Sequence, residues 1–339
     1  MAKTNTRNRP KEHNHPHPKD ALLGLAVGDA LGVPVEFILR EDLEIFPVKN
    51  MRGYGTHHQP PGTWSDDSSL TFCLVESLIE GYSATDLGQR MVDWYKSAYW
   101  TPHGEVFDIG NSTREAIERI GSGQVAPVQA GGREHFHNGN GSLMRVLPLV
   151  FSWGGKTSKE RYEWVQEVSS LTHGHLRSVF SCFLYLEIAH HLYEGANPME
   201  AYKQGIKSAA SFATEQRFPE KEMRLFERVL DGRLPHLQRF QIHSSGYVIH
   251  SLEASLWSLL TSSNYEECVL KAVNLGADTD TNGAIAGGLA GLTYGQQSIP
   301  MDWLSALQRR SDILELADRF YASLNTNGAS HPGQEGMVA

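Results

Sequence analysis

Apolar residues recur at helical spacing along most of the chain, with polar residues between them. The pattern predicts a first buried helix from residue 20 and a last apolar helix that closes at residues 317–323. Between these, the predicted helices cover residues 65–81, 86–99, 107–120, 159–172, 175–193, 198–214, 221–230, 247–260 and 265–274. No alternation typical of a β-strand continues for a convincing length. We therefore expect an all-α fold.

The two ends of the chain lack this pattern. Residues 1–19 are basic, with His13, His15 and His17 among asparagine and proline, which predicts a flexible basic, histidine-rich arm. Residues 325–339 are polar and contain glycine, which predicts a flexible tail. Because neither a repeat nor an interdomain linker interrupts residues 20–324, we expect a single compact multi-helix domain there.

A glycine-rich apolar helix is predicted within residues 274–292, which read NLGADTDTNGAIAGGLAGL. Residues two apart on a helix do not share a face, so Asp278 and Asp280 can converge only from a turn before the helix. Asp280 or Thr281 is the expected N-cap. Each glycine weakens an isolated helix by ~1 kcal/mol relative to alanine, so this helix should be stabilised by close neighbours in the centre of the fold.

A second acidic cluster, with Ser65, Asp66 and Asp67, stands before another apolar helical pattern. Like the cluster at residues 278–281, it offers a hydroxyl and two carboxylates without cysteine or histidine. Oxygen ligands favour Mg²⁺, Mn²⁺ or Ca²⁺, and four carboxylates exceed the needs of one ion, so we expect a dinuclear centre. The alternative is that all four acids only cap helices.

Three further features are candidates for the same site. Glu36 lies in an apolar stretch and is expected to contact metal or water, or else to pair with an arginine. Asp108 could receive a positively charged substrate group or cap a helix. The turn around Gly139 could present N–H groups to a phosphate at a helix N-terminus. We interpret His57 and His58 as surface residues and His173 as structural.

The composition narrows the function further. With 339 residues, a net charge of −9 and 40% hydrophobic residues, the chain is typical of an ordinary globular protein. The acidic balance argues against general nucleic-acid binding. Three scattered cysteines favour a reducing compartment, so we expect a cytoplasmic location. The sequence offers neither a signal peptide nor an apolar run long enough to span a membrane, so no membrane partner is expected.

Several motifs in order resemble the ADP-ribosylglycohydrolase family, among them GDALGVPVEF, GTWSDDSSLTFCL, FDIGNSTREAI, GNGSLMRVLPL and GADTDTNGAIAGGLAGLTYG. The resemblance implies an all-α domain with two Mg²⁺ or Mn²⁺ ions, and it places Glu36 near the metals and Asp108 beside the scissile bond. It implies that the metal ligands are Ser65, Asp66, Asp67, Asp278, Asp280 and Thr281. It implies that the loop near the ADP-ribose phosphates comprises Gly139, Asn140, Gly141, Ser142, Leu143 and Met144. Ser65 departs from the threonine that is common in the family, but it keeps the hydroxyl.

The reaction implied by this resemblance is hydrolysis of the bond between ADP-ribose and a protein side chain, most often arginine. Such an enzyme would reverse an ADP-ribosyltransferase and could confer immunity to an ADP-ribosylating toxin. One alternative is a protein that binds and blocks such a toxin through residues 1–19. Another is a hydrolase of serine-linked or small-molecule ADP-ribose conjugates. Deleting residues 1–19 should separate hydrolysis from toxin binding.

Overall fold

The computed structural model describes residues 15–328, and these form a helical fold without a β-sheet. The first eight α-helices are α1 (Pro18–Gly32), α2 (Arg40–Ile45), α3 (Asp66–Ile79), α4 (Ala84–Ser97), α5 (Asn111–Gly121), α6 (Ser158–Ser170), α7 (Leu176–Tyr193) and α8 (Pro198–Glu215). The remainder are α9 (Glu220–Met223), α10 (Glu227–Leu230), α11 (Val248–Leu260), α12 (Tyr265–Val273), α13 (Thr279–Tyr294), α14 (Met301–Ala306) and α15 (Arg310–Gly328). The all-α prediction is confirmed.

The centre of the fold is an antiparallel pair formed by α1 and α13, which contact each other more extensively than any other two elements. A Cβ added to Gly28 would lie 2.0 Å from the carbonyl oxygen of Gly283, and one added to Gly32 would lie 2.3 Å from Cα of Asp280. Only glycine allows the two backbones to approach so closely. Both helices are almost wholly buried, as expected for a glycine-rich central helix.

The remaining helices surround this pair and enclose an apolar core. α12 and α11 pack on α13. α15 and α3 pack on each other and on α1. Rings of Tyr162, Phe180, Phe183 and Phe212 pack against one another between α6, α7 and α8. The three cysteines are buried and free. None of the helices within residues 15–328 is both long and apolar enough to cross a bilayer.

The first and last helices extend slightly beyond the helical pattern expected from sequence. α1 begins at Pro18, because His17 caps it: His17 Nδ1 accepts from the backbone N–H of Lys19, and the His17 N–H donates to Asp20. At the other end, α15 continues to Gly328. Residues 1–14 and 329–339, which make up most of the predicted arm and tail, lie outside the described residues.

Two local predictions were wrong. The helix expected at 221–230 is broken by a 3₁₀ turn, Arg224–Phe226, between α9 and α10. The turn at Gly139 does not lead into an α-helix: residues 141–145 form turns, followed by the 3₁₀ helix Leu147–Ser152. Pro148 is tolerated in the first turn of that short helix, since a proline lacks only a donor that would be unpaired there.

Candidate metal centre and cavity

The first acidic cluster is held at the N-terminus of α3 by Asp29 of α1. The Asp29 carboxylate accepts hydrogen bonds from the backbone N–H groups of Ser65 and Ser68 and from the Ser68 hydroxyl, at 2.6–3.1 Å. Ser65 is the N-cap of α3, and its Oγ lies 3.0 Å from Oδ2 of Asp67. Asp29 therefore fixes the start of α3, which carries Asp66 and Asp67 into the site.

The second cluster lies at the N-terminus of α13. The N-cap is Asp278 rather than Asp280 or Thr281, and Asp280 lies inside the first helical turn. The helix starts earlier than expected because Thr279 anchors it, with its hydroxyl donating to the carbonyl of Gly32 at 2.8 Å. Asp278 Oδ2 accepts from Asn140 Nδ2 at 2.8 Å, which ties this cluster to the turn at Gly139.

The two clusters meet between α1, α3 and α13. The Thr281 hydroxyl lies 3.3 Å from Oδ2 of Asp67, although 214 positions separate the two residues in sequence. Two sets of carboxylates could hold a cation, since one oxygen from each member lies within 4.8 Å of the others: Asp29, Asp67 and Asp280, and Glu36, Asp278 and Asp280. Asp280 belongs to both sets.

Burial makes this concentration of acids costly in their charged form. Desolvation, followed by neighbouring carboxylates, raises the pKa of Asp66, Asp67 and Asp280 well above the usual range. Desolvation also raises the pKa of Asp29 to about 6, although the hydrogen bonds from Ser65 and Ser68 oppose the rise. Charged carboxylates at these positions need a compensating positive charge.

The donor atoms at this place fit a hard divalent cation. Asp67 Oδ1 and Asp280 Oδ2 are buried oxygens without a hydrogen-bond partner among residues 15–328. A buried polar atom is rarely left unpaired, and carboxylate oxygens are the ligands that Mg²⁺, Mn²⁺ and Ca²⁺ prefer. The side chains that carry these atoms are therefore arranged as ligands would be, and capping alone does not account for them.

Glu36 and Asp108 lie beside this cluster, together with His57. Glu36 Oε2 is 2.5 Å from His57 Nε2, so its partner is a histidine and not an arginine. One ligand atom each from Glu36, His57 and Asp108 lies within 4.8 Å of the others. Desolvation raises the pKa of Glu36 to about 7, while the hydrogen bond from His57 lowers it. The interpretation of His57 as a surface residue was wrong.

A cavity of about 440 Å³ opens next to the acids. Its wall contains the acids Glu36, Asp66, Asp108 and Asp278 together with Thr281, and also Phe136, Gly139, Asn140, Gly141, Met144 and His173. The side chains of Ser142 and Leu143 are not part of this wall. Ser142 Oγ lies 2.9 Å from Ser169 Oγ behind the turn, and Leu143 is buried in the apolar core.

Three residues of the site were not proposed as site residues from sequence. Asp29 is an acid within the apolar pattern of the first helix, which signals that it has a partner but does not identify the partner. His57 lies in a polar loop 21 positions after Glu36, where nothing local distinguishes it from His58. His173 is buried in the cavity wall, as a structural histidine would be, but its ring also faces the cavity.

Comparison with known proteins identifies the class. The family described as ADP-ribosylglycohydrolase matches residues 17–330. ADP-ribosylarginine hydrolase Tri1 of Serratia proteamaculans (strain 568) is 32% identical over 308 residues, which cover 89% of this chain and 78% of that relative. ADP-ribosyl-(dinitrogen reductase) glycohydrolase of Rhodospirillum rubrum is 30% identical over 302 residues, covering 87% and 92%. A solved structure described as an ADP-ribosylglycohydrolase-related protein complex aligns with a TM-score of 0.75 at 31% identity, covering 91% of this chain and 97% of that chain.

The fold and the site agree with these comparisons, since a helical domain holds a buried acidic centre beside an open cavity. The chain belongs to the ADP-ribosylglycohydrolase family. The prediction of family and of enzyme class made from the motifs is confirmed. The roles of the individual site residues stay predictions, and they are developed below as proposals.

Proposed function

We propose that this protein removes ADP-ribose from ADP-ribosylated arginine side chains of proteins, with two Mg²⁺ or Mn²⁺ ions as cofactors. The observation that carries the proposal is the pair of buried, unpartnered carboxylate oxygens, on Asp67 and Asp280, beside a cavity of about 440 Å³. That volume is within the range of small-molecule sites. The arginine linkage is supported by the relatives named as ADP-ribosylarginine hydrolases.

The proposed ligands combine the two acidic clusters. They are Ser65, Asp66, Asp67, Asp278, Asp280 and Thr281, with Glu36 close to Asp278 and Asp280. When bound, the ions would supply Lewis acidity and a water of lowered pKa. The chain itself fixes the ligands in place through the Ser65 cap of α3, the hydrogen bond from Thr279 to Gly32 and the hydrogen bond from Asn140 to Asp278.

Glu36 is the proposed acceptor of a proton from the attacking water. Burial raises its pKa to about 7, so this carboxylate can both take up and release a proton near neutral pH. His57 holds one of its oxygens at 2.5 Å and so fixes its orientation. Asp66 and Asp278 line the same cavity as Glu36, so a proton held on Glu36 also relieves repulsion among these acids.

Asp108 is the proposed partner of the departing guanidinium group. Its carboxylate lines the cavity, and an oxygen of Asp108 lies within 4.8 Å of ligand atoms of Glu36 and His57. A carboxylate can accept two parallel N–H bonds from a guanidinium, which suits an arginine leaving group and not a serine hydroxyl. The remainder of ADP-ribose would lie along the part of the wall formed by Gly139, Asn140, Gly141, Met144, Phe136 and His173.

The biological role follows from the reaction. A protein that removes ADP-ribose from arginine reverses an arginine-specific ADP-ribosyltransferase, and it would protect a cell from a toxin of that kind. Three buried free cysteines are consistent with a reducing, cytoplasmic compartment. The alternative, blocking of a toxin by residues 1–19, concerns residues of which only 15–19 are described; there His15 stacks on Tyr193 at 4.8 Å, and His17 caps α1.

The test is release of ADP-ribose from proteins modified on arginine or on serine. Wild type should act on the arginine conjugate, and Asp280→Ala and Asp108→Asn should reduce the rate by about 10³-fold and 10²-fold. Asp302→Ala, which removes an exposed acid of α14, is the matched control and should act as wild type. Release from serine but not arginine would refute the proposed linkage. Full activity of Asp280→Ala would refute the proposed site.

A further inference from the structure

His173 is a buried histidine whose two ring nitrogens have different surroundings. It follows α6, is 2% exposed and lies in the wall of the cavity. Nδ1 lies 2.9 Å from the hydroxyl oxygen of Thr172. Nε2 has no hydrogen-bond partner among residues 15–328. This nitrogen is therefore available to a molecule in the cavity.

Arg145 lies behind His173 and is fully buried, without a carboxylate partner among residues 15–328. Its guanidinium donates to the Thr172 hydroxyl at 2.8 Å, to the carbonyl of Val168 at 3.3 Å and to the carbonyl of Gly141. One side chain thus joins the end of α6 to the turn at Gly139 and Gly141, which forms the neighbouring part of the cavity wall.

The direction of these hydrogen bonds follows from their chemistry. An arginine can only donate, so the Thr172 oxygen accepts from Arg145. The single hydroxyl proton of Thr172 then has one acceptor within reach, Nδ1 of His173. If Nδ1 carried a proton instead, the buried Thr172 hydroxyl would be left without an acceptor, which is unfavourable. The ring proton therefore belongs on Nε2.

The glycines of the facing turn leave room beside this edge of the ring. A Cβ at Gly139 would lie 3.3 Å from Nε2 of His173, and a Cβ at Gly141 would lie 2.8 Å from Cε1. A side chain at either position would occupy the space in front of the Nε2–H group. The turn thus keeps the donor edge of His173 accessible from the cavity.

We propose that Arg145 and Thr172 are positioning residues that hold His173 as its Nε2–H tautomer, so that the ring presents an uncharged donor to an acceptor oxygen of the substrate. The identity of that substrate, ADP-ribose, rests on the function proposed above. Burial, with Arg145 and His137 nearby, lowers the pKa of His173 to about 3, so the ring is neutral near pH 7. A neutral ring can donate only through the nitrogen that carries its proton.

The tautomer can be measured directly by NMR of protein labelled with ¹⁵N-histidine. The signals of His173 are identified by their loss in His173→Gln. In wild type, Nε2 should have the shift of a protonated nitrogen and Nδ1 that of a hydrogen-bonded acceptor. Thr172→Ser should keep both signals, whereas Thr172→Val should move the Nδ1 signal or reveal an Nδ1–H form. A proton on Nδ1 in wild type, or an Nδ1 signal unchanged in Thr172→Val, would overturn the proposal.

Ligand binding tests the second half of the proposal. Thr172→Val should weaken binding of ADP-ribose about five- to tenfold, the scale of one hydrogen bond, and should raise KM more than it lowers kcat. Thr172→Ser should restore both values. Unaltered ADP-ribose affinity in Thr172→Val would overturn the donor role. If Thr172→Val fails to fold, wild type and Thr172→Ser still decide the tautomer. If ADP-ribose does not bind at all, the proposed function fails while the tautomer is still decided by NMR.

Discussion

Glu36 is flanked by a histidine on one side and by acidic side chains on the other. His57 lowers its pKa by donating a hydrogen bond, while desolvation, Asp108 and Asp278 raise it to about 7. The reactivity proposed for Glu36 thus depends on a balance between neighbours. A change at one neighbour should alter the pH dependence of the reaction more than the fold.

Replacing His57 by glutamine tests this balance. Loss of the imidazole donor should raise the pKa of Glu36, so the acid limb of kcat/KM should move to higher pH, and the loss of rate should be larger near about pH 6 than near about pH 8. His58→Gln, which changes the exposed neighbouring histidine, is the control and should leave the profile unchanged. An equal loss of rate at all pH values in His57→Gln would contradict the proposed role of Glu36.

At the scale of elements, the α1–α13 pair determines where the acids lie. Asp29 projects from α1 to the start of α3, and Gly32 allows α1 to touch the backbone at Asp280. The site therefore depends on close packing of two backbones as well as on its ligands. Substituting a glycine in the interface between α1 and α13 tests this packing without altering any side chain of the site.

Gly28→Ala should destabilise the protein. Its new Cβ would lie 2.0 Å from the carbonyl oxygen of Gly283, which is backbone and cannot rotate away. We expect a loss of about 1–3 kcal/mol or more in the free energy of unfolding, measured in urea. Gly154→Ala is the control, since a Cβ at Gly154 meets nothing within 4 Å. Equal stability of the two variants would show that the helices can separate to accept a side chain.

The same elements show what sequence can predict. Local periodicity predicted the helices. The burial of α13 was predicted because its glycines would weaken an isolated helix, so that close neighbours must stabilise it. The acidic clusters were recognisable because each is contiguous. Contacts between residues far apart in sequence were not recognisable. An example is the contact of Thr281 with Asp67, which are 214 positions apart. The start of α1 was misplaced because His17, an uncommon N-cap residue, begins it, and that of α13 because the hydrogen bond from Thr279 to Gly32 extends the helix back to Asp278.

At the scale of the whole molecule, stability and cation binding should be linked through the buried acids. The pKa of Asp29 is raised from 3.8 to about 6 and that of Glu36 from 4.5 to about 7. A raised pKa means that the protonated form is favoured by folding. These groups therefore contribute fully to the stability of the metal-free protein below about pH 4, and the contribution is lost as the pH rises through about 6 and 7.

Bound cations should offset this loss of stability at higher pH, because they favour the ionised carboxylates and displace protons. Thermal unfolding of EDTA-treated protein with and without Mn²⁺ should show a rise in Tm that is larger at about pH 8 than at about pH 5. Asp280→Asn should lose most of the rise, whereas Asp302→Asn should keep it. A rise in Tm that does not depend on pH would contradict the linkage.

The most direct test of the central claim is the rate of ADP-ribose release from an arginine-ADP-ribosylated protein, followed while Mn²⁺ is returned to EDTA-treated enzyme and bound ions are counted. The account predicts no release without metal and a rate that reaches its maximum when two ions are bound per chain. Full release by enzyme that contains no metal would contradict it.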